Sequence, residues 1–97
     1  YVPTRIPRLP DAITRTPSAS LAATAAQALA PYFEASRLRD ALPALCARAF
    51  DFDAPLLPMR GAGDYVLELF HGPTAAFKDY AARFLAECLA ALRAPDA

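Results

Sequence analysis

Ten prolines in 97 residues determine where this chain can be helical. Four of them fall within residues 1–17, which therefore cannot form a continuous helix. We expect an extended arm there, with a short strand at residues 1–2. Its arginines, Arg5, Arg8 and Arg15, either form a solvated loop or bind an anion. Alanine makes up about a quarter of the chain, so the segments between the later prolines favour helix.

Two helices are predicted between the arm and residue 50. The first starts after a serine cap, Ser18 or Ser20, and Pro31 kinks or tightens its last turn. The second is capped by Asp40 and accommodates Pro43 in its first turn. We expect an antiparallel hairpin of helices whose core comes from two apolar stripes at helical spacing: Leu21, Ala25, Ala28, Leu29, Tyr32 and Phe33, then Leu42, Leu45, Cys46, Ala49 and Phe50.

A strand, a tight turn and a third helix follow. Residues 51–64 form a loop rich in proline and glycine, in which residues 56–57 can add a short edge strand. Residues 65–70 are typical of a strand, and residues 71–74, His-Gly-Pro-Thr, break it. The third helix is predicted from about residue 75 to about residue 93. Its apolar face comprises Phe77, Ala81, Phe84, Leu85, Cys88, Leu89 and Leu92. The chain is thus predicted to be mainly α-helical with one or two short strands.

Charge and cysteine content exclude several classes of function. The formal net charge is zero, with no basic cluster of the kind that binds nucleic acid or an anionic membrane. No apolar run reaches the ~20 residues needed to span a bilayer. Cys46 and Cys88 have no partners at metal-ligand spacing, so we predict no metal site and two buried free thiols, as suits the cytoplasm. The chain starts without Met and ends just after a helix pattern, which suggests a piece of a longer protein.

Lys78 is the one lysine beside nine arginines. It falls in the opening turn of the third helix, where the positive end of the helix dipole disfavours a cationic amine and favours the neutral, nucleophilic form. Thr74 is placed to cap this helix with its hydroxyl. Phe77 and Tyr80 flank the lysine in sequence. Asp79 in the first helical turn suits the helix dipole without any catalytic role. The alternative is an ordinary surface lysine, with Asp79 as a neighbour that balances its charge.

Residues 67–85, LELFHGPTAAFKDYAARFL, resemble the segment that carries the pyridoxal-phosphate lysine in threonine synthases of the bacterial and fungal type. The opening Tyr-Val-Pro and residues 55–58 are similar to other parts of that family. Ala75 and Tyr80 are mild departures, since the family often has a larger aliphatic residue and Phe there. The family's phosphate-binding loop is expected beyond residue 97.

The resemblance implies an α/β parent fold of the tryptophan-synthase-β-like type. Residues 1–54 would be the N-terminal helical domain, and residues 55–97 the start of the catalytic domain. Lys78 would bind pyridoxal phosphate covalently and shuttle protons while O-phosphohomoserine and water become threonine and phosphate. His71, Thr74 and Phe77 are possible substrate or cofactor contacts, although a turn-stabilising bond for His71 and a cap for Thr74 are the favoured interpretations.

Two alternatives to that function stay open. One is a related phospho-lyase that acts on a different phosphorylated amino-alcohol. The other concerns the 97-residue chain alone, which we expect to be inactive and to bind the cofactor weakly or not at all. As an isolated helical module it would bury its exposed apolar stripe by self-association.

Overall fold

The computed structural model describes residues 1–9, 11 and 20–94. Within these ranges the helices are α1 (Leu21–Leu29), a 3₁₀ helix (Ala30–Phe33), α2 (Leu42–Ala49) and α3 (Lys78–Arg93). The strands are β1 (Leu56–Pro58) and β2 (Tyr65–Leu67). The prediction of a mainly helical chain with one or two short strands is therefore confirmed. The strand expected at residues 1–2 is wrong, because residues 1–9 lack regular structure. Arg15 and Ser18 lie outside the described residues.

Helix α1 begins at Ser20, whose hydroxyl accepts a hydrogen bond from the Ala23 N–H at 3.1 Å. This bond satisfies an amide that has no partner within the helix. The predicted tightening at Pro31 is confirmed, since the helix continues as the 3₁₀ segment that contains this residue. α1 has no fully buried residue, so its stripe contributes less to the core than predicted.

Helix α2 starts without the predicted Asp40 cap. Its N-cap is Ala41, which makes no side-chain capping bond, while Pro43 lies in the first turn as expected. The turns before the helix explain the difference. Their backbone already directs amides to carbonyls, with Ala41 N–H donating to the Leu38 oxygen at 3.1 Å and Leu42 N–H to the Arg39 oxygen at 3.4 Å.

The core lies where α2 meets α3. Leu45 and Cys46 of α2 are fully buried, and Cys88 of α3 is 8% exposed. Phe33 and Phe84 pack against this cluster, with their ring centroids 6.0 Å apart in an edge-to-face arrangement. The α2 stripe and the buried, free state of both thiols are thus confirmed.

The strands form an antiparallel hairpin in which Leu56 pairs with Leu67 and Pro58 with Tyr65. β2 is shorter than the predicted strand of residues 65–70. The last backbone bond beyond the pairing runs from the Glu68 N–H to the Pro55 oxygen at 2.8 Å. Proline lacks an N–H, so Pro55 cannot return a bond and the ladder ends there. All six strand residues are exposed.

Candidate functional site: the turn before Lys78

Lys78 is the first residue of α3, and its side chain is exposed. The helix begins three residues later than predicted. Ala75 explains the delay, because its φ of 57° lies in the left-handed region, which a right-handed helix cannot include. Phe77 is the N-cap and is 74% exposed. Phe77 and Lys78 are therefore consecutive residues, both exposed, at the N-terminus of α3.

Thr74 does not cap α3, so that prediction is wrong. No side chain caps the helix at Phe77. Instead, Thr74 turns towards Asp79, donating its N–H to Oδ2 at 3.0 Å and its hydroxyl to Oδ1 at 2.7 Å. The hydroxyl proton is committed to the carboxylate, so the Thr74 oxygen can only accept a further hydrogen bond.

Asp79 is the site residue that sequence reasoning missed. It was assigned only a favourable position in the helix dipole, yet it is 5% exposed. The Thr74 hydroxyl bond, followed by the amide bonds and the charge of Arg83, holds the pKa of this carboxyl below its usual range despite the opposing effect of burial. An acidic residue in a first helical turn can reach back to preceding amides, as in a capping box, and that signal was available in the sequence.

Gly72 makes room for this carboxylate. A Cβ built on Gly72 would lie 2.6 Å from both the Cβ and Oδ2 of Asp79, far inside normal contact. The loop can therefore approach the helix only if residue 72 has no side chain. This is a steric requirement, since Gly72 is not among the described residues with positive φ.

His71 has the turn-stabilising bond that was the favoured interpretation. Its Nε2 lies 2.8 Å from the Glu68 Oε1, and its ring stacks on Phe70 with centroids 4.6 Å apart. Glu68 directly follows β2, so this pair links the end of the strand to the start of the turn. The imidazole remains partly exposed, with a side-chain exposure of 38%.

The inner side of α3 is attached to the end of α2 and to the loop that follows it. The Tyr80 hydroxyl donates to the Asp53 carbonyl at 2.9 Å, and its ring meets Phe52 edge to face with centroids 4.9 Å apart. Arg83 donates to the carbonyls of Ala49 and Arg48, both at 3.0 Å. Tyr80 therefore anchors the helix to this loop.

The outer side of α3 carries Lys78 at its start and an exposed stripe of leucines beyond it. Leu85, Leu89 and Leu92 follow Lys78 at intervals of seven, four and three residues, so all four share one face. The three leucines are 58%, 42% and 40% exposed. The predicted single apolar face is thus divided, since Phe84 and Cys88 pack inward.

The chemistry available at this turn is that of a primary amine beside hydrogen-bonding groups.

Across the described ranges, no three His, Cys, Asp or Glu side chains are grouped so that they could hold a metal ion. No helix in the same ranges combines the length and apolarity needed to cross a membrane.

Several curated proteins match part of the chain. A stretch of 52 residues, 54% of the chain, is 54% identical to the threonine synthase of Haemophilus influenzae. The threonine synthases of Serratia marcescens and Pseudomonas aeruginosa are 52% identical over 42 residues and 54% identical over 41 residues, which are 43% and 42% of the chain. The resemblance to threonine synthase is confirmed.

The matches to threonine synthase are local. The aligned residues span 12% of the Haemophilus protein, 10% of the Serratia protein and 8% of the Pseudomonas protein. No protein-family model matches the chain. No solved structure matches it significantly either.

Proposed function

We propose that this chain carries the cofactor-binding lysine of a threonine synthase. A threonine synthase converts O-phospho-L-homoserine and water to L-threonine and inorganic phosphate. The observation that carries the proposal is the exposed Lys78 amine at the first residue of α3, beside a turn fixed by Asp79. The local identity to threonine synthases supports it.

The residues around Lys78 fit pyridoxal phosphate chemically. The aldehyde of this cofactor needs a primary amine, and Lys78 offers the one lysine side chain of the sequence. When bound, the cofactor supplies an electron sink for charge that develops at the substrate's Cα. Lys78 would hold the cofactor at Nζ and then hold the protons removed from Cα and Cβ. The hydroxyl oxygen of Thr74 would accept a hydrogen bond from an N–H group, because its own proton is donated to Asp79.

We propose that this chain is part of a longer protein, the complete enzyme, which also contains the remaining length of its relatives. Residues 1–54 would belong to its N-terminal helical domain, and residues 55–97 would begin an α/β catalytic domain of the tryptophan-synthase-β-like type. The free, buried thiols Cys46 and Cys88 suit a reducing cytoplasm.

Product analysis of the complete enzyme tests the reaction. Incubated with O-phosphohomoserine, it should release threonine and phosphate in equal amounts, and Lys78→Ala should release neither. Arg93→Ala, a cation at the other end of α3, is the matched control and should retain activity. Turnover of a different phosphorylated amino-alcohol, without threonine formation, would favour the alternative phospho-lyase and contradict the proposal.

For the 97-residue chain alone we propose weak cofactor binding and self-association. Leu85, Leu89 and Leu92 expose apolar surface along one side of α3, and burial of such a stripe in a dimer is favourable. Sedimentation should show a concentration-dependent dimer that Leu89→Glu weakens. A monomer at all concentrations would contradict the dimer. Cofactor absorbance that survives dialysis and disappears in Lys78→Ala would contradict weak binding.

A further inference from the structure

We propose that Asp79 is a positioning residue that sets the orientation of Lys78 by holding residues 72–74 against the first turn of α3. The inference rests on the proposed role of Lys78 as the cofactor lysine. It assigns to Asp79 a task distinct from the helix-dipole interaction that its position alone suggests.

The two residues are adjacent on the first turn of α3 but face different ways. Successive side chains of an α-helix project about 100° apart, and Asp79 is buried while Lys78 is exposed. The carboxylate therefore holds one side of the turn and the amine extends from another. Because they share a backbone, the contacts that hold Asp79 against the loop also fix the first turn of α3 and with it the direction of the Lys78 Cα–Cβ bond.

Several contacts hold the loop on this carboxylate. Thr74 donates two hydrogen bonds to it, one to each oxygen. Gly72 approaches it so closely that no Cβ can be present. The Asp79 N–H in turn donates to the Ala76 oxygen at 3.1 Å. The chain between these contacts includes Ala75 in the left-handed region, so the path from the loop into the helix is tightly specified.

The charge on Asp79 matters for the strength of this arrangement. Hydrogen bonds to an ionised carboxylate are stronger than those to a neutral acid, and Arg83 is the charged group whose field also favours the ionised form. Because the folded pKa is lowered, chiefly by the Thr74 hydroxyl, the interaction is present at neutral pH. It is lost only as pH falls below the ordinary aspartate pKa of about 4.

The first test measures the loop directly in the 97-residue chain. In nuclear magnetic resonance spectra, the Thr74 amide proton should shift with pH as Asp79 titrates, with a midpoint below that of an ordinary aspartate. Asp79→Asn should abolish the shift, whereas Asp40→Asn, which changes an exposed carboxylate in a turn, should leave it intact. A Thr74 amide that does not respond to Asp79 would overturn the inference.

The second test measures positioning in the complete enzyme. Asp79→Asn should lower kcat about tenfold, as expected for the loss of a hydrogen bond to a charged group, with a much smaller change in KM. Gly72→Ala, whose added Cβ would collide with Asp79, should act similarly, while Asp40→Asn, which changes an exposed carboxylate in a turn, should leave kcat unchanged. Unchanged kcat in Asp79→Asn would overturn the inference.

The two proposals fail in different ways. An absence of threonine formation by the wild-type complete enzyme contradicts the proposed function. The Thr74 amide titration then still decides whether Asp79 holds the loop, because it needs neither cofactor nor substrate.

Discussion

Ala75 is the residue with the least favourable backbone conformation in the turn before Lys78. Its φ of 57° places Cβ close to a carbonyl oxygen, at a cost of about 1–2 kcal/mol. We predict that Ala75→Gly raises the free energy of unfolding by about 1 kcal/mol, after allowing for glycine's greater entropy when unfolded. Urea unfolding measures the change.

Ala76→Gly is the matched control for this residue. Ala76 is not among the described residues with positive φ, so glycine there brings only its entropic cost, and stability should fall. If both substitutions destabilise the chain equally, the left-handed conformation at Ala75 is contradicted.

The sequence correctly predicted that Lys78 lies in the first turn of the third helix, but it predicted the wrong hydrogen-bond partners for Thr74 and Asp79. The helix-start pattern located the lysine, whereas Thr74 was expected to cap helix amides and Asp79 to serve only the dipole. The structure reverses these roles, because Thr74 becomes the donor and Asp79 the acceptor. Local propensities describe where a polar residue is favoured. They do not specify which of two nearby partners it chooses.

Arg83 connects two elements, since its guanidinium on α3 caps the carbonyl end of α2. It donates to the Ala49 and Arg48 oxygens and forms an ion pair with Asp51 at 3.1 Å. We predict that Arg83→Lys destabilises the chain by about 1 kcal/mol in urea unfolding, because lysine keeps the charge but loses the planar donor fork.

Arg60→Lys controls for the exchange of one cation for another. Arg60 is exposed between β1 and β2, so this variant should unfold like the wild type. An Arg83→Lys variant as stable as the wild type would show that the caps to α2 contribute nothing.

The elements themselves were predictable, but several of their ends were not. Ser20 and Pro31 act as their chemistry predicts at the two ends of α1. Asp40 failed as a cap because backbone turns already satisfy the start of α2. β2 ended early because its partner strand stops at a proline, which is a property of the pairing and not of residues 68–70 themselves.

The core between α2 and α3 joins the helices of the described part of the chain. Leu45 is completely buried there. We predict that Leu45→Ala lowers the free energy of unfolding by about 2–5 kcal/mol, a large share of what a small domain possesses. Thermal unfolding followed by circular dichroism measures the loss.

Leu85→Ala is the control for that core, because Leu85 is 58% exposed on the outer side of α3. It should change stability by no more than about 0.5 kcal/mol in the monomer. Equal effects of the two substitutions would contradict the assignment of inner and outer faces.

Helical spacing could predict which residues of α3 form an apolar face. It could not predict which of these residues are buried and which remain exposed. Phe84 and Cys88 pack on the helices before them, while Leu85 and Leu89 remain exposed. That division depends on which direction α2 approaches from, which is a tertiary property. The same applies to Tyr80, whose hydroxyl reaches the Asp53 carbonyl across 27 residues of sequence.

The assignment of Lys78 as the cofactor lysine is tested most directly by locating the trapped cofactor in the complete enzyme. Borohydride reduction makes the lysine–cofactor linkage permanent, and mass spectrometry of a digest identifies the modified residue. We predict one pyridoxyl group per chain, on Lys78, and none in Lys78→Ala. A pyridoxyl group on any other lysine, or no group at all, would contradict the account.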